Sequence, residues 1–209
     1  MLEIQDWGLV DYHEAWARQR QLVDFVQNNP GRNVFVVCQH PTVITIGKNG
    51  KGDNLLVSRD YLKALDINVI EINRGGDVTL HNPGQIVGYP IFNLVNYRQD
   101  LHWFLREVES CIIELLAQYG IRGGRVEGLT GVWIDKIRKI CAIGMHCSRW
   151  VISHGFALNV SNNLNDFNYI IPCGISGKGI CSVQSELGTE IEYSKMKNDC
   201  IETFRQRFG

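Results

Sequence analysis

The stretch Arg74-Gly75-Gly76-Asp77-Val78-Thr79-Leu80-His81-Asn82-Pro83-Gly84-Gln85-Ile86-Val87-Gly88-Tyr89-Pro90 constrains the fold more than any other part of the chain. Two glycines follow an arginine, a short alternating run comes next, and a Pro-Gly step turns the chain back into apolar sequence. Paired glycines permit positive φ or close backbone approach and are poorly suited to an ordinary strand interior. The segment reads as a loop and hairpin lining a cavity. A plain hairpin with a glycine-rich turn fits the same residues, and the choice depends on what the rest of the chain supplies.

On either side the periodicity alternates between helix and strand. Residues 6–29 carry a helical apolar period through Leu9, Tyr12, Trp16, Leu22, Val23 and Val26, stopped by Pro30-Gly31. Residues 33–40, 42–47 and 67–72 are rich in β-branched residues and read as strands, 42–47 being either a second strand or the continuation of the first beyond Pro41. Between them lie a polar loop at 48–53 and a short helix at 58–65 capped by Ser58. Residues 100–119 form the clearest later helix, with Leu101, Phe104, Leu105, Val108, Ile112, Leu115, Leu116 and Tyr119 in one stripe and Gly120 at its end. Strands follow at 131–135, 139–145 and 154–160, and helical spacing returns at 190–209. No repeat or linker-like tract interrupts the 209 residues. Strands grouped as hairpins between a few long helices predict one α+β domain over 1–209, with a mixed, largely antiparallel sheet.

Composition narrows the function classes. A net charge of −1 supplies no global basic field for nucleic acid. No apolar run reaches the length of a membrane span, and the amino terminus shows no signal-peptide pattern. Seven cysteines without a Cys-x-x-Cys pair or zinc-finger spacing point to reduced thiols, no metal and a cytoplasmic location. Neither the 174–179 segment nor Gly47-Lys48 has the spacing of a phosphate-binding loop, and no dinucleotide fingerprint follows a strand.

Four residues carry possible chemistry. Cys173 sits between Pro172 and Gly174, outside any apolar period, where a turn can aim backbone N–H groups at sulfur and favour a thiolate. A structural cysteine is the alternative. Lys139 opens a strand in which simple alternation puts it on the side of Cys141 and Ile143. It lies either at a solvated strand end or in a partly desolvated site, where it would support a thiolate or act as a base. His81 and His154 each precede residues that allow close approach, and each fits a structural or a catalytic role.

Together these pieces resemble the octanoyl (lipoyl) transferases of lipoate biosynthesis. Four ordered landmarks match: Arg74 to His81 with Pro83-Gly84-Gln85, Lys139 to Gly144, His154 to Asn159, and Pro172-Cys173-Gly174. The resemblance implies the fold of lipoate and biotin protein ligases. It also implies transfer of an octanoyl or lipoyl group from octanoyl-acyl carrier protein to a lysine of lipoyl domains. The acceptors would be those of 2-oxoacid dehydrogenases and the glycine cleavage carrier protein, with no ATP and no cofactor. It puts the thioester nucleophile on Cys173 and the lysine that lowers its pKa on Lys139. Substrate contacts fall on Arg74, Gly75, Gly76, Asp77, Val78, Thr79, Leu80 and His81, on Ala142, Ile143 and Gly144, and on Gly155, Phe156 and Ala157. The family glycine after the histidine is Asn82 here, a residue that tolerates positive φ nearly as well. An acidic carrier would dock on a basic rim drawn from Arg74, Lys136, Arg138, Arg149 and Lys178. Two competing readings remain: an ATP-dependent ligase on the same fold, and a carrier-binding module without activity.

Overall fold

The computed structural model describes residues 1–50, 52–171 and 177–209. Its chain order is β1 (Leu2–Leu9), α1 (Tyr12–Asn28), β2 (Asn33–Gln39), β3 (Val43–Ile46), α2 (Arg59–Ala64), β4 (Asn68–Glu71), β5 (Val78–His81) and β6 (Gln85–Ile91). Then follow α3 (Leu101–Gln118), β7 (Gly124–Val126), β8 (Leu129–Ile134), β9 (Arg138–Ser148), β10 (Val151–Asn159), β11 (Gly179–Ile180), α4 (Val183–Leu187) and α5 (Tyr193–Phe208). Among the described residues the main sheet runs β1-β2-β6-β10-β9-β8-β7, with β11 attached to β9, and a small sheet runs β4-β3-β5. Only β1–β2, β9–β11 and β3–β4 pair in parallel, so the sheets are mixed and largely antiparallel, as the strand clustering predicts.

Alternation sorts the main sheet's side chains onto two faces. Phe35, Val37, Ile86, Phe156 and Leu158 face α3 and α5 in the larger core. Phe204 of α5 stacks on Phe35 at 4.2 Å between ring centroids. The stripe of α3 fills this core as read from the sequence, with Phe104, Val108, Ile112, Leu115 and Leu116 fully buried. Asp100 caps the helix through Trp103 N–H, and Gly120 ends it at φ 74°. On the opposite face Val34, Val36, Val87, Tyr89 and Ala157 pack against Ala15 and Val26 of α1.

The start of the chain departs from the sequence reading. Helical spacing from residue 6 is replaced by strand β1, paired with β2, and α1 starts only after Asp11, whose carboxylate caps His13 and Glu14 N–H. β1 is a sheet edge interrupted by Gly8 at φ 60°, and its apolar alternation stops after Leu2 and Ile4. β3 does not continue β2 but crosses into the small sheet. There Ile44, Ile46, Leu62 and Leu80 make a separate core, which holds the glycine-rich loop over the main sheet.

Candidate active site

The loop between β4 and β5 is clamped from both sides. Gly47, Lys48 and Asn49 donate backbone N–H bonds to Asp77, Arg74 and Gly76, and Gly75 N–H donates to Met145 of β9 at 2.9 Å. A Cβ on Gly144 would come within 2.7 Å of Gly75 carbonyl oxygen, and Gly76 requires φ 85°. These glycines let the loop lie on β9. Arg74 is buried rather than on a rim: its guanidinium donates to Thr45 carbonyl oxygen at 2.9 Å, to Thr45 Oγ1 at 3.0 Å and to Gly75 carbonyl oxygen at 2.9 Å.

Beneath the loop is a narrow cleft. Its floor is the sheet row Ala142, Gly144, Gly155 and Ala157, joined by the pairs Ala142↔Ala157 and Gly144↔Gly155. Arg74, Gly76, Asp77, Val78, Thr79, His81, Ile143 and Phe156 also line it. The Phe156 ring, however, stacks on Phe35 and Phe204 in the core across the sheet. Gly75 borders a neighbouring groove, and the Leu80 side chain fills the small-sheet core. Tyr12, from the apolar stripe of α1, and Tyr89, from the Arg74–Pro90 segment, add aromatic wall.

Lys139 reaches this face through a β-bulge. Trp133 pairs with Lys139 and Val132 with Cys141, so Ile140 is an extra residue on β9. Ile140 and Cys141 enter the core, while Lys139 lies 93% buried, with Nζ 4.5 Å from the Trp133 ring centroid. Simple alternation put Lys139 with Cys141, and the bulge corrects that placement. Lys139 instead joins Thr79, Gln85, Ala142, Ala157 and Asn159 around a small cavity that shares Thr79, Ala142 and Ala157 with the cleft. The cleft therefore leads to the lysine. Cys173 lies outside the described residues. The chain beyond it is stitched to the lysine's strand, with Gly179 N–H donating to Ile137 and Cys181 N–H to Lys139.

An amide network fixes His81. Asn82 Nδ2 donates to Asn163 carbonyl oxygen and Asp166 Oδ2, and Asn82 Oδ1 accepts from Asn162 Nδ2. Asn159 Nδ2 donates to Cys181 carbonyl oxygen, and its Oδ1 accepts from Gln85 Nε2 at 2.9 Å. Gln85 Nε2 also donates to Leu80 carbonyl oxygen. Gln85 Oε1, 3.3 Å from His81 Nδ1, is left to accept the Nδ1 proton. Neutral His81 then keeps Nε2 as an acceptor. Asn82 has no positive φ: Gly84 takes that conformation at 94°, and Asn82 serves through its side chain.

The remaining cations of the expected rim separate. Lys136, Arg138 and Lys178 cluster at the β8–β9 turn, where Lys178 Nζ donates to Lys136 carbonyl oxygen and Arg138 pairs with Asp135 and Glu186. Arg149 lies at the other end of β9, about 30 Å from Lys139 at ~3.3 Å per residue, and donates to Gln27.

The histidines around the cleft are held neutral. Burial, aided by Arg74 and His146, pushes His154 down to about 3. Burial pushes His40 down to about 4, against its bond to Val10. Burial, then His40 and Arg74, holds His81 well below the ordinary value. His40 Nδ1–H donates to Val10 carbonyl oxygen, and its Nε2 accepts from Tyr89 hydroxyl at 2.6 Å. The unfolded chain binds protons on these groups near pH 6.5 and the folded chain does not, so stability is complete above that pH and falls on acidification. Each histidine contributes a slope of up to ~1.4 kcal/mol per pH unit below about 6.5. The contribution of His40 is exhausted near pH 4 and that of His154 near pH 3. The urea midpoint is expected to drop clearly between pH 7.5 and pH 5; an unchanged midpoint would mean that the histidines are not buried neutral.

A family model for the lipoyl protein ligase A/B catalytic domain matches residues 11–205. An octanoyltransferase of Cytophaga hutchinsonii is 45% identical over 93% of this chain and 87% of its own. One from Christiangramia forsetii is 44% identical over 99% and 95%. Among solved structures, the bi-partite lipoate protein ligase of Thermoplasma acidophilum superposes with a TM-score of 0.76 at 14% identity, covering 98% of this chain and 82% of that one. The biotin protein ligase of Aquifex aeolicus gives 0.53 at 10% identity, covering 99% and 68%. The structural likenesses establish the lipoate and biotin protein ligase fold, and the close relatives settle the branch. The chain belongs to the lipoyl protein ligase A/B catalytic-domain family and, within it, to the octanoyltransferases, which are acyltransferases.

Proposed function

We propose that this enzyme moves an octanoyl group from acyl carrier protein to a lysine of lipoyl carrier domains through a thioester on Cys173, without ATP. The observation that carries this reading is the bulge at Ile140, which turns Lys139 out of the core and toward the end of an apolar-floored cleft. The other cysteines support it by elimination. Burial raises Cys111 and Cys181 to about 12, holds Cys38, Cys141 and Cys200 well above the ordinary thiol value, and also raises Cys147, so none of the described thiols is poised as a thiolate.

The chemistry has two halves. The Cys173 thiolate attacks the carrier thioester, the new C–S bond forms, the old one breaks, and the carrier thiol leaves as a thiolate that takes up a proton. A neutral carrier lysine then attacks the acyl-enzyme. An amide forms, the C–S bond to Cys173 breaks, and the amine's surplus proton passes to a base. Thioester exchange is nearly isoenergetic and amide formation from a thioester is downhill, so nucleotide activation is unnecessary. Lys139 serves both halves: as a cation it stands beside the thiolate, it then gives its proton to the departing carrier thiolate, and the neutral amine so formed accepts the proton of the attacking lysine. The floor of Ala142, Gly144, Gly155 and Ala157, roofed by the Arg74–His81 loop, takes the acyl tail at ~0.8 kcal/mol for each CH₂ buried. Lys136, Arg138 and Lys178 meet an acidic carrier beside this site.

Incubation with octanoyl-acyl carrier protein in the absence of ATP, followed by intact-protein mass measurement, tests the reading. An octanoyl adduct that maps to Cys173 and disappears in Cys173→Ser is expected. No adduct without ATP would instead indicate a ligase.

A further inference from the structure

Resting on the acyl-cleft reading, we propose that His154 is the chain-length stop: its imidazole is the partition at which an acyl tail of eight carbons ends. From Ala157, where the cleft meets the lysine's cavity, β10 runs three residues to His154. That is ~10 Å at ~3.3 Å per residue, close to the extended length of an octanoyl chain. His154 lines the cleft beside Gly155 and Arg74 and is 2% exposed.

Behind the ring lies an open groove of about 730 Å³ between α1 and the ends of β4, β9 and β10, with Trp16, Val23, Ile72, Asn73 and Val151 among its walls. Two of these residues touch the partition directly. His154 Nε2 is 2.7 Å from Asn73 Oδ1, and the Trp16 ring centroid is 6.3 Å from that of His154. His154, with Trp16 and Asn73 against it, therefore stands between the cleft and a second space whose walls mix Val23 and Ile72 with the charged Arg20, Asp24 and Glu71.

The backbone shows that this placement is imposed. His154 has φ 58° inside a strand, a conformation that disfavours any residue with a Cβ. Its N–H is diverted to Gln19 Oε1 on α1 at 2.9 Å, and its Nδ1 has no partner among the described residues. Local backbone preference would favour glycine here, so the imidazole is held by its tertiary contacts. A neutral ring suits contact with a terminal methyl group and still keeps its bond to Asn73.

The test is His154→Gly, which removes the ring and suits the backbone angle. Wild-type and variant enzymes are given octanoyl- and dodecanoyl-acyl carrier protein, and modified lipoyl domain is quantified by mass. The variant is expected to raise the dodecanoyl-to-octanoyl ratio of kcat/KM by about tenfold to a hundredfold, since four further CH₂ groups gain a place to be buried. Adding Val23→Trp, which fills the groove, should pull the ratio back. Where His154→Gly does not melt cooperatively, Asn73→Ala, which releases Nε2 and lets the ring swing, should shift the ratio in the same direction. A folded variant that transfers octanoyl groups with an unchanged ratio overturns the stop. Failure of the wild type to transfer octanoyl groups at all would overturn the acyl-cleft reading instead.

Discussion

Lys139→Met is expected to slow octanoyl transfer by about 10²- to 10⁴-fold, the range that a positioned proton-transfer group supplies. Methionine keeps an unbranched side chain at the bulge beside Trp133 and loses the nitrogen, so the effect should fall on turnover while carrier KM changes little. Lys139→Arg separates the two roles assigned to this residue. A guanidinium retains the positive charge but does not lose its proton near neutral pH. If the charge stabilises the Cys173 thiolate and the amine accepts the acceptor's proton, the arginine variant forms acyl-enzyme and then stalls. Single-turnover mixing should show octanoyl adduct accumulating on Lys139→Arg and failing to form at the wild-type rate on Lys139→Met. A loss of less than about threefold in Lys139→Met would remove Lys139 from the chemistry, because it lies well below that 10²- to 10⁴-fold range.

The reach of the sequence is clear from the same residue. That Lys139 opens a strand is visible in Lys-Ile-Cys-Ala-Ile-Gly, and β9 is there. Its face is not visible, because one unpaired residue, Ile140, reverses the alternation, and nothing local marks a bulge. Arg74 fails for a related reason. Beside two glycines it looks like a solvent-facing cation, yet Thr45, far back in the chain, supplies the oxygens that bury it. Helix α3 was legible because a continuous apolar stripe, a capping Asp100 and a terminal Gly120 all agree. Strand β1 was not, because its parallel pairing with β2 is decided by tertiary contacts and its alternation is too short, breaking at Asp6 after Leu2 and Ile4. Asn82 shows a third kind of miss. Its position in a turn suggested a backbone role, whereas its amide begins the hydrogen-bonded series that ends on His81.

Glu109 joins the stability of the fold to the placement of the lysine, and its replacement should have a large effect on folding. The carboxylate is completely buried on α3. One oxygen accepts from Arg106 at 2.7 Å and from Arg125 at 2.8 Å, and the other accepts Gly131 N–H at 3.0 Å. Truncating one partner of a buried ion pair commonly costs about 3–5 kcal/mol. Here both arginines are nearly half exposed and can return to water. The buried Gly131 N–H cannot, so Glu109→Ala is expected to destabilise by about 2–4 kcal/mol, a stranded donor plus lost packing. For a chain of this size that is a fall of roughly 5–15 °C in Tm, read by thermal melting. Glu109→Gln keeps an acceptor for Gly131 and should lose less than half as much. Gly131 sits at φ 115° on β8, and a Cβ there would lie 3.5 Å from Lys139 Cε. A Gly131 no longer tethered to α3 would shift against that side chain, so Glu109→Ala should also lower turnover at temperatures where it remains folded. Equal melting of Glu109→Ala and wild type would show that the two arginines and the glycine find other partners, and that the carboxylate holds neither the hairpin nor the lysine beside it.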